Sequence, residues 1–271
     1  MPTYLRLLAS LVLTLSSSLA AAQTAPAAKG HLLIIGGNGT TDAIVQRAVQ
    51  TAGGAKGLVA IFPQASELPE TGANAVAMWT KAGVGRAVAL DPRDPATLAT
   101  LQEATFIWFP GGDQNRLMKA FEGTAVVDAI RARHRDGALV GGTSAGAAVM
   151  SASMITGDAD LQSITAGKTA LAPGLGLWPD AIVDQHFLKR QRNNRLISAV
   201  LDHPELLGVG IDEATAVFVT GREFEVLGKS SVLVIDARKA AVDKTTAGER
   251  STGRGLALSV LKEGMRYDLG R

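Results

Sequence analysis

Between Ala138 and Met150 an apolar run of strand character meets Gly142-Thr143-Ser144-Ala145-Gly146, and small residues of helical preference follow. A G-x-S-x-G pattern set between a strand and a helix makes an elbow that lifts a serine hydroxyl above the carboxyl edge of a sheet. Its glycines serve a strained bend where neighbouring backbone comes close. The same residues also suit a glycine-rich turn whose serine caps a helix. The reading as a nucleophile therefore asks the rest of the chain for a base, an acid and an oxyanion hole.

The chain before the elbow alternates between two periods. His31–Ile35 reads as a buried strand that runs into Gly36-Gly37-Asn38-Gly39, and Thr40 or Thr41 can cap a helix whose apolar side is Ile44, Val45, Ala48, Val49 and Ala52. Strands are expected at 57–62, 86–90 and 105–109, with helices at 71–82, 95–103 and 124–134. Apolar strands alternating with helices predict a doubly wound α/β fold, its sheet mostly parallel and covered by helices on both faces. Ligands then bind beyond the carboxyl ends of the strands, where the loops 36–39, 63–66, 110–114 and 142–144 fall. The Gly37-x-Gly39 pair lacks the third glycine of a dinucleotide fingerprint and carries little weight for one.

After the elbow the pattern loosens. Residues 151–177 are rich in Gly, Ala, Ser and Thr with weak periodicity, which reads as loops near an active site. A short strand at Val183–Gln185 leads into Lys189-Arg190-Gln191-Arg192-Asn193-Asn194-Arg195, opening a helix through Val200. Strand patterns at 207–212, 215–220, 223–227 and 231–236 predict a C-terminal antiparallel extension of the sheet, and 245–254 reads as a polar surface loop. No internal repeat is visible, and 31–271 reads as a single domain.

Composition narrows the partners. Hydrophobic residues make up 46% of the 271 and charged ones 19%, enough for a sizeable core. A net charge of +2 with only 4% aromatics argues against nucleic acid, which needs a basic face and stacking rings. Arg6, the apolar run Leu7–Leu15 and Ala20-Ala21-Ala22 predict a signal peptide over 1–22 with a flexible leader at 23–30, hence export to the periplasm or outside the cell. The apolar run is too short to span a bilayer, so no membrane association is expected after cleavage. There is no cysteine and so no disulfide.

The chain has four histidines. His31 starts a strand and reads as structural, His134 lies in a charged helix end and reads as solvated, and His203 lies in a loop. His186, flanked by Asp184, Gln185 and Phe187, is the candidate base. For the acid, Glu213 just past a buried strand comes first, with Asp212, Asp158 and Asp160 as rivals. Pro110-Gly111-Gly112-Asp113-Gln114 follows a strand, and its backbone N–H groups, at Gly112 above all, can pair with the Ala145 amide as an oxyanion hole. An ordinary helix-opening turn capped by Asp113 is the plainer alternative. Arg190, Arg192 and Arg195 suit either a solvated helix face or recognition of substrate carboxylates.

Taken together, Gly142-Thr143-Ser144-Ala145-Gly146-Ala147, Gly111-Gly112-Asp113-Gln114, Asp184-Gln185-His186-Phe187 with the three arginines, and Gly210-Ile211-Asp212-Glu213 resemble the cyanophycinases, serine peptidases of family S51. Ile34-Ile35-Gly36-Gly37 and Gly264-Met265-Arg266-Tyr267-Asp268-Leu269 look similar as well, and the order holds through most of the chain. The resemblance implies a flavodoxin-like fold of the class I glutamine amidotransferase type and a Ser144–His186–Glu213 triad. It implies hydrolysis of a β-linked Asp-Arg polymer to dipeptides without metal or cofactor. Gln114, Asp184, Gln185, Arg190, Arg192 and Arg195 would line the substrate pocket, and a homodimer is left open.

The chain departs from that pattern at Asn38-Gly39-Thr40-Thr41, where the family usually carries an acidic pair. It departs again at Lys189 and Asn193-Asn194, and keeps only part of a loop motif in Pro63-Gln64-Ala65-Ser66. An aspartyl or isoaspartyl dipeptidase of the same family, or a non-catalytic binder of acidic peptides, are the alternatives. An α/β-hydrolase esterase orders its triad Ser, acid, His, which Glu213 breaks and Asp158 or Asp160 would restore.

Overall fold

Alternate residues along the central strands enter different cores, which is how this sequence builds a three-layer molecule. A computed structural model describes residues 28–270; the signal peptide read at 1–22, and the leader residues 23–27, lie outside the described residues. The first half of the chain runs β1 (His31–Ile35), α1 (Asp42–Thr51), β2 (Leu58–Ile61), α2 (Thr71–Ala82), β3 (Arg86–Ala89), α3 (Ala96–Glu103), β4 (Phe106–Phe109), α4 (Gln114–Phe121), α5 (Val126–Arg135), β5 (Leu139–Thr143) and α6 (Ala145–Ala148). Leu32, Ile34, Ile107, Phe109 and Val140 pack with Leu101, Leu117 and Ile130 of α3, α4 and α5. Their neighbours Leu33, Ile35, Phe106, Trp108 and Leu139 pack with Ile44, Ala48, Ala75 and Trp79 of α1 and α2. With every second residue apolar toward each face, the strands must be covered on both.

The second half runs β6 (Ser153–Ala159), β7 (Thr169–Pro173), β8 (Ala181–Gln185), α7 (Asn193–Asp202), β9 (Leu207–Ile211), β10 (Thr215–Thr220), β11 (Glu223–Gly228), β12 (Val232–Asp236), β13 (Ala241–Val242), β14 (Gly253–Arg254), β15 (Ala257–Leu261) and β16 (Arg266–Asp268). The main sheet has the order β16-β11-β10-β1-β5-β4-β2-β3. Strands β1 to β5 pair in parallel, and β10, β11 and β16 add to the β1 edge antiparallel. This is the mostly parallel, doubly wound sheet with an antiparallel extension that the sequence predicts.

Three local expectations are corrected. Residues 151–177 are not all loop: β6 and β7 form an antiparallel hairpin, broken by a register shift between Ile155 and Ala159. Small residues and the shift erase the two-residue alternation by which a strand is recognised. Strands β9 and β12 do not extend the main sheet either; they join β8 and β15 in a second sheet of order β15-β12-β9-β8. The glycines of Leu207-Gly208-Val209-Gly210-Ile211 explain it. A Cβ at Gly208 would meet Val200 Cγ2 at 2.6 Å, and one at Gly210 would meet the Phe187 ring at 2.4 Å. One face of β9 is thus bare backbone on which α7 and Phe187 lie, while Leu207, Val209 and Ile211 enter the main core.

His134 is the third correction. It is buried, because Lys29 and Gly30 lie across the end of α5, the Gly30 amide donating to the His134 carbonyl at 2.9 Å. A Cβ on Gly30 would come within 2.7 Å of the ring, and Nε2 has no hydrogen-bond partner among the described residues. Burial first, then His31 and Arg135, push this imidazole down from 6.5 to about 4. Between those values the unfolded chain takes up a proton that the folded chain refuses, so stability is lost as pH falls through that window. With solvent screening the loss is about 2 kcal/mol. His134→Gln should flatten the decline between pH 6.5 and 4 in denaturant titrations; a variant that keeps the wild-type slope would remove His134 from this role.

Candidate active site

The elbow forms where β5 runs out between β1 and β4. Ser144 sits at φ 55°, ψ −112°, a backbone state that costs roughly 1–3 kcal/mol and persists only where its surroundings enforce it. Its amide donates to Ile35 O at 3.0 Å, and its carbonyl accepts from the Ala147 and Ala148 amides. The two flanking glycines answer to contact: a Cβ at Gly142 would lie 2.3 Å from Gly146 O, and one at Gly146 would lie 2.1 Å from Phe109 O. Any larger residue at either position pushes the elbow off the sheet.

The second sheet supplies the partners. Strands β8 and β9 run parallel, so the residues after them, His186 and Glu213, reach the same edge. The His186 amide donates to Gly36 O at 2.7 Å, and the Ala214 amide to Gly37 O at 2.9 Å, which ties that edge to the end of β1. Ser144 Oγ lies 2.9 Å from His186 Nε2, and His186 Nδ1 lies 2.7 Å from Glu213 Oε1. With Nδ1–H donating to the carboxylate, Nε2 is left to accept the serine proton. The geometry can carry nucleophilic attack by a hydroxyl with the imidazole as base.

Of the rival acids, Asp212 accepts from the Lys189 amide at 3.0 Å and from the Ser230 hydroxyl at 2.7 Å, pinning the segment after His186 to the β9 end. Asp160 accepts from Gln162 and Ser163 in a turn, and Asp158 lies in β6.

Charge at the site follows from these contacts. Burial pulls the His186 imidazole below its ordinary 6.5, the Glu213 hydrogen bond opposes this, and Arg190 and Arg192 add to the lowering. Donation from Asn38, then from His186, holds Glu213 below the usual carboxylate range. Asp212 also lies low, since the Ser230 hydroxyl and several amides outweigh the burial that would raise it.

A cleft of 420 Å³ opens beside Ser144, bordered by Gly112, Gln114, Gln185, Arg190, Arg192 and Arg195, and by Thr156 and Gly157 from the hairpin. Gly112 has φ 143° and is pressed on the neighbouring loop: a Cβ there would lie 2.1 Å from Ala65 O. Gly111 lies against the elbow, where a Cβ would come 3.2 Å from Ser144 Cβ. Ala145 is fully buried at the start of α6. Gln114 opens α4, with Asp113 capping it, and donates to Ile155 O at 3.0 Å. Asp184 is buried outside the cleft lining, paired with Arg195 through two hydrogen bonds and 3.5 Å from Arg192. Arg190 is exposed, Arg192 donates to Gln185 O at 2.7 Å, and burial lowers Arg192 to about 10.

Residues 32–227 match the model of peptidase family S51. The chain belongs to that family. It is 38% identical over 237 residues to the cyanophycinase of Geminocystis herdmanii, covering 83% of this chain and 87% of that protein. It is 37% identical over 264 residues to the cyanophycinase of Trichormus variabilis, covering 91% and 88%. The fold is shared with a crystallised peptidase from an acI-B1 Actinobacterium, with a TM-score of 0.62, 19% identity, and coverage of 88% of this chain and 96% of that one. This S51 chain is accordingly a serine peptidase.

Two residues at the S51 site escape sequence reasoning. Gly37, open to a dinucleotide reading from its spacing, is where a Cβ would strike the His186 ring at 2.3 Å. Asn38, visible in the sequence only as a departure from a family pattern, donates to Glu213 Oε2 at 2.7 Å. Neither signal exists until the β1 loop meets the ends of β8 and β9.

Proposed function

We propose that this peptidase hydrolyses a β-linked Asp-Arg polymer to dipeptides, with Ser144 as nucleophile, His186 as general base and Glu213 as the acid that orients it. The observation that carries the reading is the unbroken hydrogen-bond path Ser144–His186–Glu213 opening onto a cleft with Arg190 and Arg192 on its rim. Cyanophycinase relatives along nearly the whole chain support the substrate class. Ser144 Oγ gives its proton to His186 Nε2 and attacks the scissile carbonyl; the amides of Gly112 and Ala145 receive the oxyanion. His186 then protonates the leaving amine, and water releases the acyl group by the same steps in reverse. Gln114, Gln185 and the arginines would grip the polymer, a planar guanidinium suiting each carboxylate. Residues 31–271 act as one peptidase domain in this reading, exported behind the 1–22 segment.

The test is release of β-Asp-Arg from insoluble cyanophycin, beside a panel of free β-aspartyl dipeptides. Cleavage of the dipeptides alone would replace the polymer with a narrower substrate. The acidic limb of kcat/KM should fall below pH 6.5, because burial, Arg190 and Arg192 all disfavour the imidazolium. Arg190→Gln removes one of those charges and should move the limb toward higher pH. A limb that stays put, or moves down, would take Arg190 out of the field felt by His186.

A further inference from the structure

The loop after β1 does more than terminate a strand. Asn38 stands at φ 46°, in the left-handed region that Asn tolerates better than most residues with a side chain. From there its Nδ2–H donates to Glu213 Oε2 at 2.7 Å, while Glu213 Oε1 takes the bond from His186. A carboxylate is an acceptor only, so the amide nitrogen must be the atom that faces it. Both oxygens of Glu213 are engaged, one by Asn38 and the other by His186, and rotation of the carboxylate about its terminal bond would break both contacts.

Two backbone bonds next to the pair hold the same loops together. Gly36 donates to Thr215 O at 2.9 Å, and Ala214 donates to Gly37 O at 2.9 Å, so the two residues before Asn38 are fixed to the two after Glu213. Gly37 meanwhile packs on the imidazole. The other charged groups here are Lys189 toward Glu213, and Arg190 and Arg192 toward His186. None of them makes a hydrogen bond to Glu213 among the described residues.

We infer that Asn38 is a positioning residue for catalysis: its side-chain amide donates to Glu213 Oε2 and holds the carboxylate where Oε1 accepts the hydrogen bond from His186 Nδ1–H. The inference rests on the triad reading above. The role is specific to a neutral amide, since an ionised carboxylate in this place is an acceptor only and could not make the bond.

Asn38→Gly removes the donor and keeps the left-handed backbone, and Asn38→Asp keeps the shape while reversing the polarity. The readout is the rate at which a fluorophosphonate probe modifies Ser144, resolved into kinact and KI from pH 5 to 9, with the thermal midpoint of each variant. Asn38→Gly should lower kinact roughly tenfold at unchanged KI and nearly unchanged midpoint, the size of one lost charge-assisted hydrogen bond. Asn38→Asp should lower it at least as far, and should raise the acidic limb by about 0.5–1 pH unit, because a second carboxylate favours the imidazolium. An Asn38→Asp variant that reacts at the wild-type rate would show that donation is not needed and overturn the inference. So would an Asn38→Gly variant within twofold of wild type with its limb unmoved. The triad reading fails in a different way: the wild type then resists the probe, or Ser144→Ala still takes it, and this inference falls with it.

Discussion

Ser144→Ala is expected to cut peptide hydrolysis by about 10³–10⁵-fold while leaving the protein folded and able to bind its substrate. Serine and alanine share a Cβ, and at φ 55°, ψ −112° both bear the same strain, so the exchange does not relax the elbow. The contacts that enforce it, the Ser144 amide on Ile35 O and the close approach of Gly146 to Phe109 O, belong to the main chain. What is lost is a single hydroxyl, 2.9 Å from an imidazole whose far nitrogen is already committed to Glu213. Without it His186 has no proton to take, and the amides after β4 and β5 face an oxyanion that no longer forms. Residual hydrolysis would come from water placed in the same cleft. A variant within tenfold of wild type would exclude Ser144 as the nucleophile, and one that loses peptide binding as well as turnover would show that the exchange disturbed the cleft.

How far the sequence carries this site depends on how local each piece is. The elbow is legible because its rule is written within five residues: two glycines where backbone closes in, a serine between them, a strand before and small residues after. The parallel sheet is legible because both faces of β1, β4 and β5 are apolar, and only a doubly covered sheet tolerates that. The order of His186 and Glu213 after strand-like runs places both at one edge, though not in one sheet with Ser144. The second sheet stays hidden because β9 gains its partners through missing side chains, Gly208 and Gly210, which read as weakness in a strand. His134 shows the opposite failure. Arg131-Ala132-Arg133-His134-Arg135 looks like a solvated helix end, and the residues that bury it lie more than a hundred positions earlier. Asn38 is the same case at the active site, 175 residues from the carboxylate it holds.

Asp184→Ala is expected to destabilise the protein by about 3–5 kcal/mol, the cost of stranding a buried guanidinium. For a chain of this size that is a fall in Tm of roughly 10 °C. Arg195 is 4% exposed and Asp184 fully buried, and the two meet fork to fork, with Arg195 Nε 2.7 Å from Asp184 Oδ2. Asp184 Oδ1 also accepts the Gln185 amide at 2.8 Å, one residue before His186, and Arg192 stands 3.5 Å away. One carboxylate therefore neutralises two arginines of the cleft and steadies the strand end that delivers the base. A residue that gripped substrate directly would behave otherwise: its loss would raise KM and leave Tm alone. The double variant Asp184→Leu with Arg195→Met separates these roles, because it removes both charges together and fills the space with apolar groups. It should recover most of the lost stability while KM stays raised through the missing arginine. Should the double variant melt as low as Asp184→Ala, the stranded Arg195 charge is not the cause, and the two other contacts of Asp184, to Arg192 and to the Gln185 amide, become those that hold β8 in place.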